Sequence, residues 1–124
     1  MKRILIADDK ATGRELVRTI LETDGYEVYE AVDGLHAVAQ ARELRPHLVI
    51  LDLHMPGLDG FEVVAVLRRE TGFASTPILA LTASAMMGDR ERALATGFTG
   101  YVSKPIRITE FRAEITRLLE SEAA

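Results

Sequence analysis

Five polar residues of the sequence each follow a short apolar run, and their types suit phosphoryl-transfer chemistry: Asp8, Asp9, Asp52, Thr82 and Lys104. Three carboxylates in one pocket would repel each other, and without a cation some of them would have raised pKa values. A hard divalent ion relieves this repulsion, and Mg²⁺ takes carboxylate, water and phosphate oxygens as ligands. The acids therefore predict a Mg²⁺ site, with Mn²⁺ as an alternative ion.

Within this site, Asp9 and Asp52 are the expected direct ligands, and Asp8 is expected to act through water. The backbone carbonyl of His54, two residues beyond Asp52, is the expected last protein ligand. Such a set leaves part of the coordination shell to water and phosphate oxygens, as Mg²⁺ prefers.

The remaining residues fit the transition state of phosphoryl transfer, whose charge is spread over three oxygens and is stabilised mainly by positioning and neutralisation. We expect Mg²⁺ to meet one oxygen, Lys104 a second and Thr82 a third. Asp52 is the expected attacking carboxylate and would form an aspartyl phosphate. Ala83 is small and would leave room for the phosphoryl group.

These residues have to be positioned by regular elements, and the sequence predicts five strands that alternate with five helices. Runs rich in Val, Ile and Leu are typical of buried parallel strands and occur at Ile4–Ala7, Val28–Ala31, Leu48–Leu51, Ile78–Leu81 and 100–102. Between them, apolar residues recur at helical spacing. The first helix has Leu16, Val17, Ile20 and Leu21, and the fourth has Met86, Ala93 and Leu94. Asp59 is a predicted N-cap for the third helix.

Strict alternation predicts an α/β fold with right-handed crossovers and a parallel sheet covered by helices on both faces. In such open sheets, ligands bind beyond the carboxyl ends of the strands. All five polar residues fall at that edge, so we expect them to converge on one pocket.

Four segments of the sequence, in order, resemble the receiver domain of two-component response regulators, of the single-domain kind found in chemotaxis regulators. The segments are Ile4–Asp9, Asp52–Gly60, Leu81–Ala83 and Tyr101–Pro105. The resemblance implies a flavodoxin-like fold, a (βα)5 doubly wound sheet with strand order 2-1-3-4-5. It also implies Mg²⁺ dependence, a cis peptide bond before Pro105 and a switch formed by Thr82 and Tyr101.

The resemblance further implies that a sensor histidine kinase or histidine phosphotransfer protein donates the phosphoryl group. A downstream protein would bind the face built from the fourth helix, fifth strand and fifth helix. The chain would catalyse only its own phosphorylation and dephosphorylation. Lys10 departs from the family pattern and could weaken Mg²⁺ binding or contact the phosphoryl group. In the family, the positions of His54 and Ser84 tune the lifetime of the phosphate.

Composition limits the remaining choices. The 124 residues fit one domain, 1–124, and we expect no output domain. There is no cysteine, which excludes disulfides and thiolate sites and is compatible with the cytoplasm. The formal charge of −4 argues against direct nucleic-acid binding, and no apolar run is long enough to span a membrane.

Several alternatives stay open. Each acid could simply cap a helix or turn, Thr82 could end a strand, and Lys104 could be a solvated surface residue. Tyr101 could be an ordinary sheet residue. The domain could be a receiver cut from a hybrid histidine kinase, an interaction module with a vestigial site, or an aspartate-nucleophile phosphatase. The last is disfavoured because His54 stands where such phosphatases carry a second acid.

Overall fold

A computed structural model describes residues 1–83 and 88–123, with side chains described as far as residue 120. The strands are β1 (Arg3–Ala7), β2 (Glu27–Ala31), β3 (Leu48–Asp52), β4 (Ile78–Thr82) and β5 (Gly100–Ser103). The helices are α1 (Ala11–Thr23), α2 (Gly34–Leu44), α3 (Gly60–Arg68), α4 (Asp89–Thr96) and α5 (Ile108–Ala123), and a 3₁₀ turn covers Thr71–Phe73. The predicted alternation of strands and helices is confirmed.

The five strands form one parallel sheet in the order β2-β1-β3-β4-β5, which confirms the flavodoxin-like topology. All five residues of β3 and all five of β4 are buried, as expected for central strands that are covered on both faces. In the register, Ile6 lies opposite Ile50, and Ile50 lies opposite Leu79. The strand ends therefore line up at one edge of the sheet.

The sheet separates two apolar clusters. One face carries Leu5, Val49 and Leu51 under α2, α3 and α4, and the other carries Ile4, Ile6 and Ile50 under α1 and α5. Strands alternate their side chains between the two faces, so neighbouring residues of one strand belong to different clusters. Helices thus cover both faces, as predicted.

Two apolar residues do not lie where their spacing suggested. Leu16 of α1 is 48% exposed and Leu94 of α4 is 44% exposed, whereas Val17, Ile20 and Leu21 are buried. The buried residues Val17, Ile20 and Leu21 form the inward face of α1, and Leu16 lies at the edge of that face. Met86 and Ser84 lie outside the described residues.

The predicted helix start at Asp59 is confirmed and places α3 directly behind the third strand. The Asp59 carboxylate accepts a hydrogen bond from the Glu62 N–H at 2.9 Å, and the Glu62 carboxylate accepts one from the Asp59 N–H at 3.1 Å. This reciprocal pair satisfies backbone donors that the first turn leaves unpaired. Within the described ranges, no helix is both long enough and apolar enough to cross a bilayer.

Candidate functional site

The centre of the site is a lysine between two buried carboxylates. Lys104 Nζ lies 2.9 Å from Asp8 Oδ2 and 3.3 Å from Asp52 Oδ2. Asp8 and Asp52 are 1% and 6% exposed. The three residues come from the ends of β1, β3 and β5, so the expected convergence at the carboxyl edge takes place. The sequence did not predict that Lys104 would pair with the acids themselves.

The three acids also form a group that could hold a metal ion. One carboxylate oxygen from each of Asp8, Asp9 and Asp52 lies within 4.8 Å of the others. Asp9 is exposed, and it faces the solvent side of a cluster whose other two members are buried. A compact set of oxygen donors, open on one side, suits a hard divalent ion that keeps some of its waters. These residues therefore fit Mg²⁺.

Backbone N–H groups hold the two buried carboxylates in place. Asp52 Oδ1 accepts a hydrogen bond from the His54 N–H at 3.0 Å, and Asp8 Oδ1 accepts one from the Lys10 N–H at 2.9 Å. Behind Asp52, α3 approaches so closely that a Cβ on Gly60 would lie 2.5 Å from the Asp52 carbonyl oxygen. Asp52 is the last residue of β3, whereas the sequence suggested that this strand would end at Leu51 and that Asp52 would follow it.

Burial raises the pKa of the Asp52 carboxyl above its ordinary value, and the nearby charge of Asp8 adds to the effect. The His54 N–H and the Lys104 ammonium oppose this shift without cancelling it. The sequence led us to expect raised pKa values from repulsion between the carboxylates, whereas at Asp52 desolvation contributes more to the raised pKa than the charge of Asp8 does. For Lys104, burial favours the neutral amine, yet hydrogen bonds and charge from Asp8 and Asp52 leave its pKa raised.

The ends of β4 and β5 place the other predicted residues around this centre. Thr82 is fully buried at the end of β4, and its carbonyl accepts a hydrogen bond from the Lys104 N–H at 2.7 Å. Ala83 is exposed. The Lys104-Pro105 peptide bond is cis, as the resemblance implied. Tyr101 lies two residues before the end of β5, with its ring half-buried against the cluster that packs under α4.

Tyr101 has a distinct environment from the acids. Burial raises the pKa of its hydroxyl, and the nearby negative charge of Asp89 at the start of α4 acts in the same direction. Tyr101 is also one of the residues that line a groove of about 720 Å³ between β5 and α5. Tyr101 is thus partly buried at the edge of the sheet, next to the start of α4.

Sequence reasoning missed one further contributor, Arg14 of α1. Its Nη1 donates to the Asp8 carbonyl oxygen at 2.7 Å, and its Nε donates to the Glu30 carboxylate at 2.9 Å. Arg18, one helical turn later, also binds Glu30, at 2.6 Å. The only available signal was the i, i+4 spacing of the two arginines, which places them on one side of the helix. Their partner on β2 could not be read from the local sequence.

Comparison with known proteins agrees with this geometry. A family model described as the response regulator receiver domain matches residues 4–116. The chain belongs to the response regulator receiver family. The family is one of phosphoacceptor switches in two-component signalling, and its members bind Mg²⁺ at an acidic pocket.

This chain matches nearly the whole of one curated relative and about half of another. The polar-differentiation response regulator DivK of Brucella anthropi is 37% identical over 110 residues, which cover 89% of each protein. The DNA-binding dual master transcriptional regulator RpaA of Synechocystis sp. is 41% identical over 119 residues. Those residues cover 96% of this chain but only 49% of RpaA, so the chain spans about half the length of that relative.

A solved structure extends the comparison to a metal-bound receiver. The receiver domain of the sensor histidine kinase PA1611 from Pseudomonas aeruginosa has a TM-score of 0.89 and 31% identity to this chain. The match covers 96% of this chain and 98% of that one. That structure holds a magnesium ion coordinated in its active site cleft. Similarity therefore extends both to a response regulator that the match covers almost fully and to a receiver that belongs to a kinase.

Proposed function

We propose that this chain is a single receiver domain, 1–124, that accepts a phosphoryl group on Asp52 from a histidine kinase or phosphotransfer protein. The observation that carries the proposal is the Lys104 ammonium shared by Asp8 and Asp52 at the carboxyl edge of the sheet. This arrangement places a nucleophile, a countercharge and an acidic ion site within one pocket. Family membership supports the same chemistry.

In the proposed reaction, a carboxylate oxygen of Asp52 attacks the phosphorus of a phosphohistidine. The P–N bond breaks and its electron pair stays on the imidazole nitrogen, and the ring takes up one proton from solvent before or during the transfer, so that neutral histidine leaves. Lys104 moves from the carboxylates to a phosphoryl oxygen, and the Thr82 hydroxyl donates to another. Mg²⁺, held directly by Asp9, Asp52 and the His54 carbonyl and through water by Asp8, would supply neutralising charge for the carboxylates and phosphoryl oxygens. The exposed position of Ala83 leaves space for the group.

The proposed output is a change in protein–protein interaction at the face of α4, β5 and α5. Thr82 ends β4, beside the site, and Tyr101 lies on the neighbouring β5 strand opposite Ala80. Movement of Thr82 toward the phosphoryl group would open space that the Tyr101 ring could fill. The groove between β5 and α5, bordered by Tyr101, Lys104 and Arg107, gives this face a shape that such a movement would alter.

The proposed setting is the cytoplasm, which the absence of cysteine suits. The formal charge of −4 supports partners that are proteins and not nucleic acid or membrane. A free-standing regulator and a receiver belonging to a hybrid kinase share this chemistry, and the pocket serves either.

The test is phosphorylation by a small phosphodonor. Incubation of the chain with acetyl phosphate and Mg²⁺ should add one phosphoryl group, measured as an increase in intact mass. Asp52→Asn should abolish the increase because the amide is a poor nucleophile. Asp24→Asn is the matched control, since Asp24 follows α1 at the opposite edge of the sheet. Equal phosphorylation of Asp52→Asn and the wild type would refute the proposal, and turnover of phosphate monoesters would favour a phosphatase instead.

A further inference from the structure

Gly13 of α1 lies against the Asp8 carboxylate. A Cβ added at position 13 would lie 2.5 Å from Asp8 Oδ2 and 3.3 Å from its Cγ. Real Cβ atoms essentially never approach an oxygen so closely, so the carboxylate occupies space that any other residue at position 13 would fill. The same Oδ2 atom is the one that binds Lys104 at 2.9 Å.

Hydrogen bonds hold both α1 and Asp8 in place at this contact. The Arg14 guanidinium donates to the Asp8 carbonyl oxygen and to Glu30, which fixes α1 to the ends of β1 and β2. The other carboxylate oxygen of Asp8 accepts the Lys10 N–H. Because Asp8 is 1% exposed, its carboxylate has little room to avoid a side chain at position 13.

A glycine at this place also has a cost. Glycine inside a helix is destabilising relative to alanine because it loses more backbone freedom on folding. Position 13 falls within the first turns of α1, away from any turn or positive φ that would require glycine. The close approach to Asp8 is the structural reason for its presence.

We infer that Gly13 is a positioning residue: it lets the Asp8 carboxylate lie against α1, where Lys104 binds it, and thereby weakens the affinity of the pocket for Mg²⁺. The inference rests on the proposed function, in which Asp8 belongs to the ion site. In this inference, a metal ion competes with Lys104 for the Asp8 carboxylate. The protein then has two states, one in which Lys104 binds Asp8 and one in which Asp8 is available to Mg²⁺. A substitution that destabilises only the first state raises the apparent affinity for Mg²⁺, because Mg²⁺ binds the second state preferentially.

The test measures Mg²⁺ affinity by isothermal titration calorimetry on four proteins: wild type, Gly13→Ala, Lys104→Met and the double variant. Gly13→Ala should bind Mg²⁺ about threefold more tightly or better than the wild type. In the Lys104→Met background the same substitution should lose most of that effect, since the competing ammonium is gone. Thr12→Ala, an exposed neighbour on α1, is the control and should leave the affinity unchanged.

Equal or weaker Mg²⁺ binding by Gly13→Ala would overturn the inference, and so would an undiminished effect in the Lys104→Met background. Should Gly13→Ala not fold, Lys104→Met alone decides: its affinity must exceed that of the wild type by about threefold, and an equal or lower affinity overturns the inference. Failure of the proposed function would look different, because acetyl phosphate would then add no mass to the wild type, whatever its affinity for Mg²⁺.

Discussion

The ammonium group of Lys104 serves as the counterion of the acidic pocket. Its side chain is 20% exposed, whereas the Asp8 side chain that it binds is 1% exposed. A buried carboxylate without a partner is costly, and removing one member of a buried ion pair costs about 3–5 kcal/mol. The Lys104 ammonium thus offsets part of the repulsion that the sequence predicts among the three carboxylates.

Lys104→Met should lower the free energy of unfolding in EDTA by about 2 kcal/mol, less than for a fully buried pair because Lys104 is partly solvated. Mg²⁺ should recover part of this loss by binding the folded state. The measurement is urea denaturation at pH 7.5 with EDTA or with Mg²⁺. Lys2→Met is the control, since Lys2 makes no ion pair in the part of the chain that the structure describes. An equal loss in both variants would contradict the counterion role.

Residue types and strand ends were enough to predict that Asp8, Asp9, Asp52, Thr82 and Lys104 share one edge of the sheet. Their pairing was not predictable, because it depends on side-chain rotamers. Lys104 binds the carboxylates of Asp8 and Asp52, which lie 96 and 52 positions before it in the sequence. No local pattern encodes such distances.

At the scale of elements, α1 is fixed to the sheet by arginines that converge on one glutamate. Arg14 and Arg18 both bind Glu30 of β2, at 2.9 and 2.6 Å. Hydrogen bonds from Arg18 and then Arg14 hold the pKa of the Glu30 carboxyl below its ordinary value, although partial burial opposes them. The pairs thus stabilise the folded state most when Glu30 is ionised.

Glu30→Gln should lower the free energy of unfolding at pH 7 by about 0.5–1 kcal/mol, a value suited to partly exposed ion pairs. Because the folded pKa is depressed, this contribution is fully present above the unfolded pKa and is lost as pH falls through the folded pKa. The difference between variant and wild type should therefore shrink below about pH 4.5. Urea denaturation across this range measures it. Glu15→Gln, on the exposed side of α1, should show neither effect.

The sequence predicted the existence and order of the elements because apolar runs and helical spacing are local signals. The prediction that Leu16 belongs to the apolar face of α1 was not met, because the four apolar positions span a wider part of the helix surface than the sheet covers. Which of them stays exposed depends on how the helix packs on the sheet. The strand order came from the resemblance, because alternation alone permits several orders. Pairing between strands is set by contacts that no single run contains.

At the scale of the whole molecule, the proposed signal passes from the pocket to the face of α4, β5 and α5. Beryllofluoride with Mg²⁺, a mimic of the phosphoryl group, should shift NMR signals around Asp8 and at Tyr101 in the wild type. Thr82→Ala should keep the shifts around Asp8 but lose most of those at Tyr101, because the hydroxyl that moves toward the phosphoryl group is missing. A full 1:99 to 99:1 switch needs roughly 5.5 kcal/mol of differential binding.

Thr96→Ala is the control for this experiment. Thr96 lies on α4 and its hydroxyl donates to the Arg92 carbonyl oxygen at 2.7 Å, within its own helix. It should leave both groups of shifts intact. Unchanged Tyr101 shifts in Thr82→Ala would show that the signal leaves the pocket by another route.

The division of the interior into two apolar clusters has a consequence for how such a chain can diversify. Residues that contact the same partners influence each other's substitutions, whereas residues without shared partners act almost independently. Helices α1 and α5 pack on one cluster and α2, α3 and α4 on the other, with five strands between them. The surface of α1 can therefore adapt to one binding protein while α4 adapts to another, and neither adaptation forces the opposite side of the sheet to repack.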